Sequence, residues 1–168
     1  MKSASRGEDF PVDAARAVPY HNHTHKKQRR PAGMKRKVQY YETDMMGVVH
    51  HANYIHWMEE ARIEFMDQIG FPYKKMEAEG ILSPVRSLQV KYLKPCTFGD
   101  EVEIAAGVKE FNGVVITMAY EMRVNGEPIF SGTSEHVFLD RDGKFVRMKR
   151  VMPDFCAAVE QRAGAPLF

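Results

Sequence analysis

The sequence predicts an α+β fold, with one long buried helix followed by a mostly antiparallel sheet of about five strands curled around it. Three observations carry that expectation. A broad apolar stripe at helical spacing covers residues 54–69, apolar and polar residues then alternate through much of 88–139, and Asn125-Gly126 separates two of the alternating runs.

In chain order, Val38 to Tyr41 reads as a short strand, followed by a loop from Glu42 to Gly47. Asn53 suits the N-cap of a helix starting at about Tyr54. Apolar residues recur at Tyr54, Met58, Ala61, Phe65 and Ile69, and Ile55, Trp57 and Met66 widen the stripe. Such breadth implies burial on more than one side. Gly70 stops the helix and Pro72 keeps it from resuming. Among the strands, Leu88, Val90 and Tyr92 alternate with Gln89 and Lys91, and Glu101 to Val108 alternates more weakly. Val114, Ile116, Met118, Tyr120, Met122 and Val124 share one face. Asn125-Gly126 is a two-residue hairpin turn into a strand over about Pro128 to Leu139, and Asp142-Gly143 turns the chain once more.

A length of 168 residues, 44% hydrophobic and 27% charged, fits one globular domain, expected over 34–155 with a C-terminal tail at 156–168. Residues 1–33 read as a disordered basic extension: they hold Pro11, Pro19 and Pro31, the basic cluster Lys26, Lys27, Arg29 and Arg30, and no apolar periodicity. In a second reading the functional chain begins at Met34. The alternating His21, His23 and His25 offer only an adventitious metal site on a solvated tail, and no metal or cofactor is expected. Glu8, Asp9 and Asp13 argue against a mitochondrial address.

The net charge of +2 conceals an asymmetry: residues 1–37 carry +7 and the remainder −5. An acidic folded part argues against nucleic-acid binding, whose footprint should lie on the folded surface. No apolar run reaches the roughly 18 residues that a bilayer span requires, so no membrane insertion is expected. Cys96 and Cys156 have no partner at metal-ligand spacing, and two such thiols fit a reducing cytoplasm, although one disulfide is compatible with the sequence. Both suit small packing positions.

The chemistry concentrates between Tyr40 and Tyr54. Asp44 sits in a loop just before a helix N-terminus, and Gly47 lets that loop turn back. The first helical turn offers unpaired backbone N–H groups and a positive dipole end, which would polarise an acyl carbonyl and stabilise its oxyanion. Asp44 could then attack the carbonyl or activate a water, with Met45, Met46, Val48 and Val49 excluding bulk solvent. An aspartate after a threonine equally suits a plain turn former. His50 and His51 read equally well as surface residues, and His51/His56 lacks the spacing of a helical zinc site.

The run Asp44-x-x-Gly47-x-Val49-x-x-x-Asn53-Tyr54 resembles the signature of the 4-hydroxybenzoyl-CoA thioesterase-like hot-dog family. Tyr41-Glu42-Thr43 and Glu59-Glu60-Ala61-Arg62 resemble its bacterial Tol–Pal-associated, short-chain acyl-CoA branch, and the likeness extends from about Lys35 to Pro153, with Arg86, Tyr92-Leu93-Lys94-Pro95 and Asp100. The resemblance implies hydrolysis of acyl-CoA to a carboxylic acid and coenzyme A, with Asp44 as nucleophile or general base and His51 assisting. It also implies pocket or loop-shaping positions at Gly47, Val49, Asn53, Tyr54 and Arg86. Homodimers or homotetramers with active sites at subunit interfaces follow from it too. Arg86, Lys91 and Lys94 are candidates to meet the nucleotide phosphates, although strand lysines commonly serve solubility. A related branch places a catalytic glutamate on the central helix, but Asp44 already occupies the alternative position here, so one of Glu59 and Glu60 reads as solvated or ion-paired.

Rival functions are a hot-dog enoyl-CoA hydratase, whose aspartate-to-histidine motif is absent after Asp44, and a non-catalytic acyl-CoA-binding or scaffolding module, which needs no carboxylate there. A serine hydrolase is disfavoured: Gly132-Thr133-Ser134-Glu135-His136 lacks the second glycine of a nucleophile elbow.

Overall fold

The computed structural model describes residues 33–168; the histidine cluster and nearly all of the basic extension lie outside the described residues. Strands β1 (Met34–Lys37), β2 (Val85–Tyr92), β3 (Glu101–Phe111), β4 (Val115–Val124) and β5 (Glu127–Val137) form one antiparallel sheet in the order β1-β3-β4-β5-β2. Helix α1 (His51–Gln68) packs its apolar side into the core on the inner face of that sheet. Short helices α2 (Tyr73–Ala78), α3 (Met148–Val151) and α4 (Pro153–Glu160) close the remaining edge of the core.

The β-meander follows its local signals. Asn125 and Gly126 both take positive φ, 52° and 79°, the pair of left-handed residues that a twisted two-residue hairpin requires. Ile116, Met118, Tyr120 and Met122 are buried along β4, as their alternation predicts. Val114 departs from that stripe. It lies in the preceding turn, where its N–H and that of Val115 donate to Asn112 Oδ1 at 2.9 and 2.8 Å.

The strand expected at Val38–Tyr41 is displaced. Pairing with β3 is made by Met34–Lys37 instead, with Lys35 bridging Glu101 and Glu103. Tyr40–Glu42 forms a 3₁₀ turn because Glu42 folds back to accept from the Gln39 N–H at 2.8 Å, which swings the rings of Tyr40 and Tyr41 into solvent.

Helix α1 begins before the expected Tyr54. His50 is its N-cap, with Nδ1 accepting from Ala52 N–H at 3.3 Å, while the Asn53 amide reaches across the loop to the Glu42 carbonyl at 2.8 Å. Burial covers one broad side of α1 rather than several, since His56, Glu59, Glu60, Glu64 and Asp67 stay exposed. The packed body also continues past residue 155, because Phe155, Cys156 and Val159 of α4 are buried and Phe155 meets Phe71 and Phe138 edge-on.

Among the described residues, the β2 edge of the sheet has no partner strand. Leu88, Val90 and Tyr92 of β2 share the inner face with Ser134, Gly132 and Phe130 of β5, as the alternation predicts. The helix covers them only in part: Val90 packs against the core and Tyr92 meets Tyr54, yet Leu88 is 43% exposed and Tyr92 47%. An apolar strip therefore runs beside an open strand edge.

Candidate active site

The loop of the sequence reading is a small hairpin. Thr43 and Val49 form an antiparallel bridge, flanked by Asp44 N–H to Val48 carbonyl and His50 N–H to Glu42 carbonyl, both 2.9 Å. Asp44-Met45-Met46-Gly47 makes the turn. Gly47 has φ +74° and donates to the Asp44 carbonyl at 2.9 Å, a conformation that a side chain at this position would strain. The second strand of the hairpin is held in turn by residues 96–97: Val49 N–H donates to the Cys96 carbonyl at 2.9 Å, and Val48 bridges Thr97.

Asp44 is half-buried at the tip, and its Oδ1 accepts from Met46 N–H at 2.8 Å, an Asx turn that orients the carboxylate. On one side of Asp44 opens a groove of about 310 Å³ shared with His51, Val49, Tyr54, Tyr92 and Lys94. Its aromatic wall is rigid: Tyr54 stacks on Phe130 with centroids 5.2 Å apart and meets Tyr92 edge-on at 5.3 Å. The Tyr92 hydroxyl donates to the His51 carbonyl at 3.1 Å, which ties the end of β2 to the start of α1. On the other side Asp44 borders a second open groove with Tyr41, His50 and Asn53.

Of the residues singled out by sequence, Asp44, His51, Val49 and Tyr54 thus meet at one groove, Gly47 shapes the turn, and Asn53 braces the hairpin from the other groove. Arg86 lies elsewhere: it borders a groove with Lys109, Thr117 and Glu135 and approaches Glu135 at 3.8 Å. Lys94 stands at the Asp44 groove, paired with Glu127 at 2.7 Å, whereas Lys91 is exposed on β2. Water exclusion by the loop residues is only partial in one protomer. Val49 is buried, but Met45 is fully exposed and Met46 is 78% exposed.

Cys96 is not a nucleophile here. It is buried, burial pushes its thiol above the usual range, and its Sγ lies 3.2 Å from the Tyr54 hydroxyl. Burial likewise pushes the Tyr54 hydroxyl well above the ordinary tyrosine range, so it serves as a neutral hydrogen-bonding group.

Sequence reasoning missed Glu42. The sequence places it in a loop, yet it is 4% exposed, with its carboxylate bound by Arg36 Nη2, by Gln39 N–H at 2.8 Å and by Trp57 Nε1 at 3.0 Å. The spacing Gln39-x-x-Glu42 ahead of a turn was the local signal for a back-folded carboxylate.

A second constellation sits within the core. Ser134 Oγ lies 2.7 Å from His136 Nε2 and 2.9 Å from the Tyr120 hydroxyl. Ser134 is 2% and His136 1% exposed, so this serine–histidine pair is a buried network without access to substrate, although His136 Nδ1 has no hydrogen-bond partner among the described residues.

Comparison with known proteins gives a consistent picture. Residues 38–159 match the model of the thioesterase-like superfamily. The chain is 35% identical to YneP of Bacillus subtilis over 127 residues, 74% of this chain and 92% of that one. It is 32% identical to the acyl-CoA thioester hydrolase YbgC of Escherichia coli O157:H7 over 91 residues, 54% of this chain and 67% of the other. Among solved structures, a DHNA-CoA thioesterase from Staphylococcus aureus superposes with a TM-score of 0.75 at 32% identity, covering 77% of this chain and 89% of that one. The architecture is the hot-dog fold, a central helix against a five-stranded antiparallel sheet.

Proposed function

This chain belongs to the thioesterase-like superfamily and is an enzyme of the acyl-CoA thioesterase type, and from that premise we propose that it hydrolyses acyl-CoA with Asp44 as its catalytic residue. The observation that carries the reading is the meeting of Asp44 and His51 at one groove that borders the start of α1. A thioester carbonyl lodged there faces the positive end of the helix, whose dipole stabilises the oxyanion as it forms, while the Ala52 and Asn53 N–H groups are engaged by His50. Asp44 acts as general base, taking a proton from water as the water oxygen adds to the carbonyl carbon, or as nucleophile through an acyl-aspartate that water then cleaves. In either route the C–S bond breaks, coenzyme A leaves as thiolate and collects the proton, and the acyl group departs as a carboxylic acid. His51 assists at the carbonyl from its place across the groove.

The working unit on this reading is a homodimer or a higher homo-oligomer. A second copy laid along β2 covers Leu88 and Tyr92, pairs the open edge and closes the groove that Met45 and Met46 leave wet. Leu88 is 43% exposed, so covering it contributes only about 1 kcal/mol, one share of the drive for such a contact. Arg86, far from its own protomer's Asp44 groove, fits a role toward the nucleotide only in that assembly. Among the described residues no helix is long and apolar enough to cross a membrane. Two buried free cysteines suit a cytoplasmic location.

The test is thiol release from a chain-length panel of acyl-CoA substrates. The proposal expects free coenzyme A from at least one member. A hydratase would consume enoyl-CoA without freeing thiol, and a binding module would bind the panel without turnover.

A further inference from the structure

The first strand of the Asp44 hairpin is rooted at one buried residue, while its second strand is held by Cys96 and Thr97. Five donors converge on Glu42: Arg36 Nη2, Gln39 N–H and Trp57 Nε1 on its carboxylate, and His50 N–H and the Asn53 amide on its backbone carbonyl. These come from β1, from the 3₁₀ turn, from α1 and from the far end of the hairpin itself. Arg36 extends the cluster: its Nη1 binds Glu60 at 2.7 Å, and its guanidinium lies 4.8 Å over the Trp57 ring. Glu42 immediately precedes the hairpin and His50 immediately follows it, so the Glu42 carbonyl clamps both roots together, while its carboxylate anchors them to the sheet and the helix.

Resting on the reading of Asp44 above, we propose that Glu42 is a positioning residue for the hydrolysis, its buried carboxylate fixing the direction in which the hairpin presents Asp44 to the groove. The tip needs such an anchor. Met45 and Met46 lie in solvent, the Asx turn orients the carboxylate only relative to the hairpin, and the hold of Cys96 and Thr97 grips only the second strand, so the strand that carries Asp44 takes its direction from Glu42. A tilt at the root is therefore carried to the tip. A carboxylate is required because all three side-chain partners are donors; an amide at this position sets one N–H₂ against a donor and weakens the Arg36 pair, which has Glu60 as its other partner.

Displacements of about 1 Å remote from the reacting atoms cost up to about a hundredfold in turnover, so Glu42→Gln is expected to lower kcat by about ten- to a hundredfold, per folded molecule, with KM changed by less than about threefold. The effect should vanish when Asp44 is already disabled. In an Asp44→Asn background, adding Glu42→Gln should lower the residual rate by no more than about twofold, the non-additivity of groups acting as a unit. A residue that merely holds the fold together would lower both backgrounds by one factor, tracking the folded fraction. Trp57→Phe removes one donor while keeping an aromatic ring, and should show a smaller kcat loss with the same non-additivity if Glu42→Gln folds poorly. Full kcat in folded Glu42→Gln or Trp57→Phe, or equal losses in both backgrounds, overturns the inference. Undiminished turnover in Asp44→Asn alone overturns the reading of Asp44 instead.

Discussion

His136 should make the fold acid-sensitive within a definite pH window. Its imidazole is 1% exposed on β5, hydrogen-bonded to Ser134, and burial together with the positive charge of Arg62 lowers its pKa from 6.5 to about 4. The folded state thus prefers the neutral ring, and below pH 6.5 the unfolded chain binds the extra proton first. Stability from this residue is complete above about pH 6.5 and is lost as the pH falls toward 4. At about 1.4 kcal/mol per pH unit between the two pKa values, the loss reaches about 3 kcal/mol. With a urea dependence of about 1–3 kcal/mol per molar, the midpoint should fall by on the order of 1–2 M between pH 7 and pH 4.5. His136→Gln keeps a polar group within reach of Ser134 but does not titrate, so its midpoint should decline more shallowly over that range, whatever its stability at pH 7. Parallel declines in the two proteins would refute the reasoning.

Two further outcomes follow from the same geometry. Ser134→Ala should leave thiol release unchanged, because the serine is sealed in the core between Tyr120 and His136; a loss beyond about tenfold in a folded variant would reopen a serine mechanism. On the proposed homo-oligomer with its interface along β2, Leu88→Arg places a charge on the uncovered strip and should leave monomers by light scattering, with activity falling alongside; a fully active dimer carrying that substitution would contradict the proposed shared-site arrangement.

The parts legible in sequence are those written in short-range periodicity. The stripe of α1, the alternation of β4 and the Asn125-Gly126 turn are local patterns, and each appears in the structure. The parts that were not legible depend on contacts distant in sequence. Met34–Lys37 carries no apolar alternation and becomes a strand only because β3 offers an edge with Glu101 and Glu103 opposite Lys35. Asn53 has good capping chemistry, but the Glu42 carbonyl, brought beside it by the hairpin, claims its amide, and His50 takes the cap. Asp44 and His51 stood out through motif and resemblance. Glu42 did not, since its burial rests on Arg36 and Trp57, which nothing local connects.

Turnover of Asp44→Asn tests the central claim most directly. Thiol release by this variant should fall at least about a hundredfold below that of the unaltered protein, with its thermal midpoint and oligomeric state unchanged, because the substitution removes the reacting carboxylate and leaves an amide oxygen for the Met46 N–H. A folded Asp44→Asn enzyme that releases coenzyme A at the original rate would contradict it.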